Sequence, residues 1–321
     1  MRILIVKTSS LGDIVHNLPA VSDMAAHLPD AHIDWLAEEA FADIPALHPA
    51  VRTVHTIRLR EWLRAPWRAA TWRAVQTLKE RLQAEPYDVV LDSQGLLKSA
   101  AVARLAGQPV WGADRLSARE PLAALFYQKG VRVRRDQHAV TRNRTLAAGA
   151  FGYPVPIGPP RYGIHASPTA HSGPKPYWVA LHATSRAAKL WPPEHWVVLG
   201  QGLARLGFAT LLPSGTDREA EAARVIAAGI GPSATCLPRM AIRALAGVLA
   251  EAAAVVGVDT GLVHLGAALG RPTVGIYCDT DPLRTGVFAE GQAVNVGGIG
   301  AHPSPTEVMA ALARLEALPC L

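Results

Sequence analysis

Two patterns of apolar and polar positions alternate along the chain. Short strand-like runs fall at 3–6, 32–36, 54–57, 89–91 and 110–112. Between them lie stretches with helical spacing, expected to begin near Asp13, Glu38, Pro66, Gly95, Arg119 and Val140. In one of these, Thr71, Val75, Leu78 and Leu82 fall at offsets of 0, 4, 7 and 11, which is one helix face. Residues 153–176 break the pattern with seven prolines and no periodicity, predicting a connector. The alternation then restarts, with strands expected at 178–181, 209–212, 234–237, 255–258 and 273–276. Helices are expected from near Pro193, Asp217, Ala241, Gly261 and Ser304. Such alternation predicts an α/β protein with two parallel-sheet, Rossmann-like domains, 1–155 and 177–321, joined by a linker at 156–176. The last helix is placed where it can pack back on the first domain. Ligands of open parallel sheets bind outside the carboxyl ends of the strands, so the expected site is a cleft between two such edges.

Length and composition narrow the class. A chain of 321 residues can bury two cores. Half of it is hydrophobic, yet no apolar run reaches the ~18 residues that a membrane span needs. The N-terminus reads as an immediate strand rather than a signal peptide. Cys236, Cys278 and Cys320 are scattered and odd in number, fitting neither a disulfide framework nor a zinc site. A cytoplasmic protein is expected. Its net charge of +6 is uneven: residues 1–160 hold 20 Lys/Arg against 15 Asp/Glu, and the remainder 12 against 11. The first half should therefore face the more acidic partner.

Three strand-to-helix corners carry candidate chemistry. The valine-rich run ending in Val258 stops at Asp259-Thr260-Gly261, and His264 lies one turn into the helix that follows. Free backbone N–H groups and the helix dipole favour an anion at such a corner, and Gly261 lets the anion approach. A core helix capped by an Asx turn explains the same residues. After the strand at 178–181, Thr184 and Ser185 offer hydroxyls and Lys189 a point charge for phosphate oxygens. Glu219, beyond the next strand, suits a ribose hydroxyl pair or merely the helix dipole; Met240 suits a nucleobase or the core. In the first half, Lys7-Thr8-Ser9-Ser10-Leu11-Gly12-Asp13 has the wrong glycine spacing for a Walker A or GxGxxG loop. It places hydroxyls, a cation and a carboxylate at the mouth of the sheet, Asp13 serving as a helix-capping acid or as a general base.

Residues 52–81 hold eight Lys/Arg and two Glu, interleaved with Trp62, Trp67 and Trp72. Nucleic-acid binding is disfavoured, because five-residue spacing turns each Trp about 140° from the last on a helix and denies them one stacking face. A surface meeting anionic lipid or an acidic sugar fits better, beside the plainer reading of a solvated helix face. Arg58, Arg60, Lys98, Arg119, Arg142 and Arg144 are further cations of this half, whose convergence spacing alone does not establish.

Taken together, the opening MRILIVKTSSLGDIVHNLPA, then Asp92-Ser93-Gln94-Gly95-Leu96-Leu97-Lys98-Ser99-Ala100, HATSRAAKLWPPEHW and VDTGLVHLGAAL resemble, in order, the bacterial lipopolysaccharide heptosyltransferases. The likeness is greatest to the heptosyltransferase I group and runs nearly the whole chain. It implies the GT-B glycosyltransferase fold and inverting transfer of L-glycero-D-manno-heptose from ADP-heptose to Kdo of the lipid A inner core. ADP-heptose is then a co-substrate, with no cofactor and no essential metal, and the enzyme sits peripherally on the cytoplasmic face of the inner membrane. The resemblance further implies Asp13 as base and Thr184, Ser185, Lys189, Thr260, Gly261 and His264 around the donor diphosphate beside Asp259. Glu219 would meet the ribose and Met240 the adenine. Ser9, Ser10, Arg60, Lys98, Arg119 and Arg142 would form the acceptor side.

Departures from the family pattern fall at Ser185, Ala187-Ala188, Val263, Gly266 and Cys278-Asp279. The donor half is read as lacking a DxD-like acidic cluster, which leaves Lys189 and a helix N-terminus to offset the leaving diphosphate. Rival readings are heptosyltransferase II or another ADP-heptose-dependent transferase, and a nucleotide-sugar-binding module without catalysis. A Rossmann-type dehydrogenase or epimerase is disfavoured by the missing GxGxxG.

Overall fold

A computed structural model describes residues 1–169 and 174–317, so Cys320 and the 170–173 part of the connector lie outside the described residues. The chain divides into two compact units, Met1–Gly163 and Ile164–Leu321. That division falls within the proline-rich stretch. Tyr162 is buried and the Gly158 carbonyl accepts from Arg144 Nη1 at 3.0 Å, so the first part of the stretch is folded onto the first unit.

The first unit holds strands β1 (Arg2–Val6), β2 (His32–Glu38), β3 (Val51–Ile57), β4 (Val89–Asp92), β5 (Val110–Ala113) and β6 (Lys129–Val131). They form one parallel sheet in the order β3-β2-β1-β4-β5-β6. The second unit holds β7 (Tyr177–Leu181), β8 (Ala209–Leu212), β9 (Ala234–Cys236), β10 (Ala254–Val258), β11 (Thr273–Tyr277) and β12 (Ala293–Gly297). Its order is β12-β11-β10-β7-β8-β9, again all parallel. Counted from each unit's own first strand, both sheets have the doubly wound order 3-2-1-4-5-6. The order reverses between β1 and β4 in one sheet and between β7 and β10 in the other, and loops leaving those strands diverge to opposite faces. A crevice opens there.

Central strands are apolar because helices cover both faces. Ile3 to Val6 and Val255, Val256 and Val258 are fully buried. Trp178, Trp191 and Trp196 interlock in the second core, Trp191 and Trp196 edge-to-face at 4.9 Å, and the Trp191 indole donates to the Pro303 carbonyl at 2.7 Å. The C-terminal helix Pro305–Arg314 buries Val308, Ala311 and Leu312 in this same core.

Several expectations need correction. Strands β6 and β12 were not foreseen: each lies at a sheet edge, partly exposed, and carries no continuous apolar run. No helix starts at Glu38; β2 runs through it to a single 3-10 turn, Glu39–Phe41. The Glu38 carboxylate instead accepts from Leu59 and Arg60 N–H at 3.2 and 3.3 Å, satisfying donors at the start of helix Leu59–Arg64. Pro66 lies in the turn before helix Ala69–Gln83 and not inside it. The predicted face of that helix holds, with Leu78 and Leu82 buried. The segment after Arg119 makes only a 3-10 stretch, Pro121–Phe126.

Candidate active site

In the first unit the chain leaves β1 through Lys7–Ser10 into the short helix Leu11–Val15. Asp13 occupies that helix's third position, and its Oδ2 accepts from Ser10 N–H at 3.1 Å and from the Ser10 hydroxyl at 3.5 Å. Arg119 Nη1 donates to the same oxygen at 3.3 Å. Asp13 is thus both the first-turn acid the macrodipole favours and a partly exposed carboxylate. Arg142, on helix Ala139–Phe151, adds positive charge to the group.

Lys7 is not the mouth cation expected. It is buried and donates from Nζ to the Ser93 carbonyl at 2.7 Å. Burial lowers its ammonium to about 8, with Asp13 and Asp92 pulling upward and Arg119 and Arg142 adding to the fall. Asp92, at the end of β4, is fully buried and accepts from Gln94 N–H, Gly95 N–H, Ser99 Oγ and the Tyr127 hydroxyl. Burial raises its carboxyl above the ordinary range against the pull of those four bonds.

Other predicted acceptor residues sort differently. Lys98 is half-buried on helix Leu97–Ala103, and Arg60 is exposed on helix Leu59–Arg64. Among the described residues neither hydrogen-bonds nor ion-pairs with Asp13 or Arg119. Arg144 is not an acceptor cation at all: it is buried, with Nε and Nη2 on the Asp23 carboxylate at 2.7 and 3.2 Å. Arg58 is paired with Glu39 at 2.6 Å. Trp62 packs on the core, whereas Trp67 and Trp72 are exposed.

In the second unit Asp259 is the hub. It directly follows β10, and its Oδ2 accepts from Lys189 Nζ and Thr280 Oγ1, both at 2.7 Å. His264 Nε2 lies 3.8 Å from Oδ1, and the Asp259 carbonyl accepts from Thr184 Oγ1 at 3.0 Å. Burial alone would raise this carboxyl; hydrogen bonds from His264, Lys189 and Thr280 more than reverse that and hold it far below the usual carboxylate range. Thr260 caps helix Gly261–Ala268 in extended conformation, so the helix N-terminus opens at the hub. Gly266 allows that helix to lie on β10, since a Cβ there would meet Val255 at 3.0 Å. This explains why no hydroxyl residue stands at that position.

Ser185 is exposed, and Glu219 sits on the first turn of helix Asp217–Ile230, its carboxylate accepting from Gly215 N–H at 2.7 Å. Met240 is half-buried before helix Ile242–Ala250. The predicted donor residues thus leave the carboxyl ends of β10, β7, β8 and β9, four successive strands of one sheet. Thr280 and Asp279 were missed as site residues. Asp279-Thr280-Asp281 does have DxD spacing, contrary to the expectation, but its parts go separate ways: Asp279 to Arg186 at 2.6 Å, Thr280 to Asp259, and Asp281 to the N–H of Leu283.

Two Rossmann-type parallel sheets, each with charged groups at its switch point, define an α/β transferase of the GT-B class. The model of glycosyltransferase family 9 (heptosyltransferase) matches residues 75–311. Lipopolysaccharide heptosyltransferase 1 of Pseudomonas aeruginosa is 45% identical over 297 residues, 91% of this chain and 82% of that protein. Its Escherichia coli K12 counterpart is 44% identical, over 92% and 93%. The structure of E. coli heptosyltransferase WaaC with ADP superimposes with a TM-score of 0.90 at 41% identity, covering 98% of this chain and all of the other. WaaC with ADP-2-deoxy-2-fluoro heptose gives 0.88 at 40%, over 98% and 99%. The chain belongs to glycosyltransferase family 9, the heptosyltransferases.

Proposed function

We propose that this chain moves L-glycero-D-manno-heptose from ADP-heptose to Kdo of the lipid A inner core, inverting the anomeric centre and requiring neither metal nor cofactor. The observation that carries the reading is the contrast between the two corners: an accessible carboxylate in one unit, and in the other a lysine, hydroxyls and a helix N-terminus gathered round a fixed anion. The Kdo hydroxyl oxygen attacks the anomeric carbon while Asp13 takes its proton, and the bond from that carbon to the phosphate oxygen breaks with its electron pair leaving on ADP. Lys189 and the N–H groups at the start of helix Gly261–Ala268 offset the charge of the departing diphosphate. Lys189 exchanges part of its contact with Asp259 for a phosphate oxygen. Thr184 and Ser185 add hydroxyl donors, Glu219 takes the ribose hydroxyls and Met240 lies by the adenine. Arg119 and Arg142 face the Kdo carboxylate, with Ser9, Ser10, Lys98 and Arg60 completing the acceptor side.

Among the described residues no helix is long and apolar enough to cross a membrane. Exposed Leu63, Trp67 and Trp72 lie among Arg60, Arg64, Arg68 and Arg73, a composition suited to the anionic cytoplasmic leaflet that carries the acceptor. Sedimentation with anionic vesicles, reduced in Trp67→Ala/Trp72→Ala and absent with zwitterionic vesicles, tests that contact. The central experiment is incubation with ADP-heptose and Kdo-lipid A followed by mass analysis of the lipid. Gain of one heptose is expected; ADP binding without product would leave a nucleotide-sugar-binding module.

A further inference from the structure

The turn that follows β4 has no chemical part in the transfer, yet it touches the loop leading to Asp13 and the backbone of Arg119. Gln94 is buried, and its side-chain oxygen accepts from the N–H groups of both Thr8 and Ser9, at 3.1 and 3.3 Å. Two converging donors require the oxygen, not the nitrogen, to face them, which fixes the carboxamide's orientation. Gln94 is itself held from behind: Asp92 Oδ1 accepts from Gln94 N–H at 2.9 Å and from Gly95 N–H at 3.2 Å. Ser93 contributes its carbonyl to Lys7 Nζ and its own N–H to the Val6 carbonyl at 3.1 Å. On the other side the Gly95 carbonyl accepts from Glu120 N–H at 3.0 Å. Gly95 has φ +71, and a Cβ there would lie 3.3 Å from Arg119 N, so the Arg119 backbone rests directly against this turn. Arg119 then reaches Asp13 Oδ2. Residues 92–95 therefore hold both the loop that leads to Asp13 and the arginine that pairs with it.

We propose that Gln94 is a positioning residue for the base, its carboxamide oxygen fixing the Thr8–Ser9 backbone so that Asp13 presents its carboxylate to the acceptor hydroxyl. This rests on the reading of Asp13 as base. A side chain that only satisfied two buried donors would support folding and leave the turnover of folded molecules alone. A positioning side chain governs turnover through geometry, where displacement of a reacting group by about 1 Å costs on the order of 100-fold.

The test measures heptose transfer from ADP-heptose to Kdo-lipid A per folded molecule, folding being followed by thermal melts. Gln94→Met, similar in volume but without the oxygen, is expected to lower kcat by roughly 10- to 100-fold with little change in KM for either substrate. Gln94→Glu keeps an acceptor at the same reach and is expected to recover most of that loss. Gln94→Asn, which withdraws the amide by one carbon, replaces the Met variant if that one does not fold, with the same expected loss. Wild-type turnover in Gln94→Met, equal losses in the Met and Glu variants, or a change confined to KM would each overturn the proposal. Asp13→Asn, assayed in parallel, separates the two layers. An active Asp13→Asn removes the base and the positioning role together; an inactive one beside an unaffected Gln94→Met removes the positioning role alone.

Discussion

Asp13 and Asp259 each lie near a corner where a switch-point strand gives way to a helix, Asp13 after the first strand of its sheet and Asp259 after the fourth of its own. Their surroundings differ in kind. Asp259 accepts from Lys189 and Thr280 on one oxygen, faces His264 with the other, and is nearly buried. Its charge is so heavily stabilised that it cannot serve as a base near neutral pH. Asp13 has its hydrogen bonds on Oδ2, from Ser10 and Arg119, and its side chain is 29% exposed. One corner is built to remain an anion; the other is built to be reached. On the proposed roles the same fold feature serves as scaffold in one unit and as reagent in the other, and the burial of the carboxylate separates the two.

The comparison breaks at its strongest point if Asp13→Ala keeps its turnover. Loss of transfer by roughly 10²- to 10⁴-fold, the range of a general base, is expected, with ADP affinity by calorimetry close to wild type. Asp259→Asn should act oppositely, weakening the fold and donor binding together. Removing one partner of a mostly buried pair costs about 2 to 4 kcal/mol, read as a lowered melting temperature, with weaker ADP binding because Lys189 loses its support. The pH dependence sharpens this. Asp259 holds its proton less tightly folded than unfolded, so its stabilisation is present above the ordinary carboxylate value of 3.8 and is lost as pH falls below it. Acid denaturation should accordingly be shallower in Asp259→Asn.

Lys7 gives a further effect in the first unit, set by burial rather than by hydrogen bonds. Its ammonium is protonated less readily in the folded chain, at about 8 against 10.5, so the unfolded chain holds more protons in that interval and stability should rise from pH 8 to 10.5. Lys7→Met should flatten that rise in denaturant titrations. The least effect belongs to Asp279, whose bond to Arg186 is largely exposed. Asp279→Ala should change ADP affinity by no more than about five-fold, the scale of an exposed ion pair. A larger loss would mean that the loop after β11 contributes to the donor site through more than Thr280.

Much of this was legible in the chain. Ten of the twelve strands follow from strand-like runs, clearest in the central ones, whose two faces are both covered. The two that do not, β6 and β12, are edge strands with a solvated side. Asp13, Lys189, Asp259 and His264 were visible because strand-to-helix corners in an open sheet are where charge and free N–H groups gather. Arg144 was left open for the converse reason: one guanidinium reads like another in sequence, and only burial beside Asp23 shows that this one is structural. Gln94 carried no signal of its own, since an uncharged residue in a turn gives no hint of which backbone, some 85 residues away, it will meet.

The sequence by itself determined the alternation of strands and helices, the residue types at each corner and the excess of positive charge in the first half, since these depend on local pattern and composition. Only the tertiary structure decided which carboxylate is buried among its partners and which is partly exposed, that Lys7 is buried, and that the turn after β4 holds the loop leading to Asp13. Those properties arise from contacts between segments far apart in the chain, where packing fixes burial and hydrogen bonding, and burial and hydrogen bonding fix what a charged group is able to do.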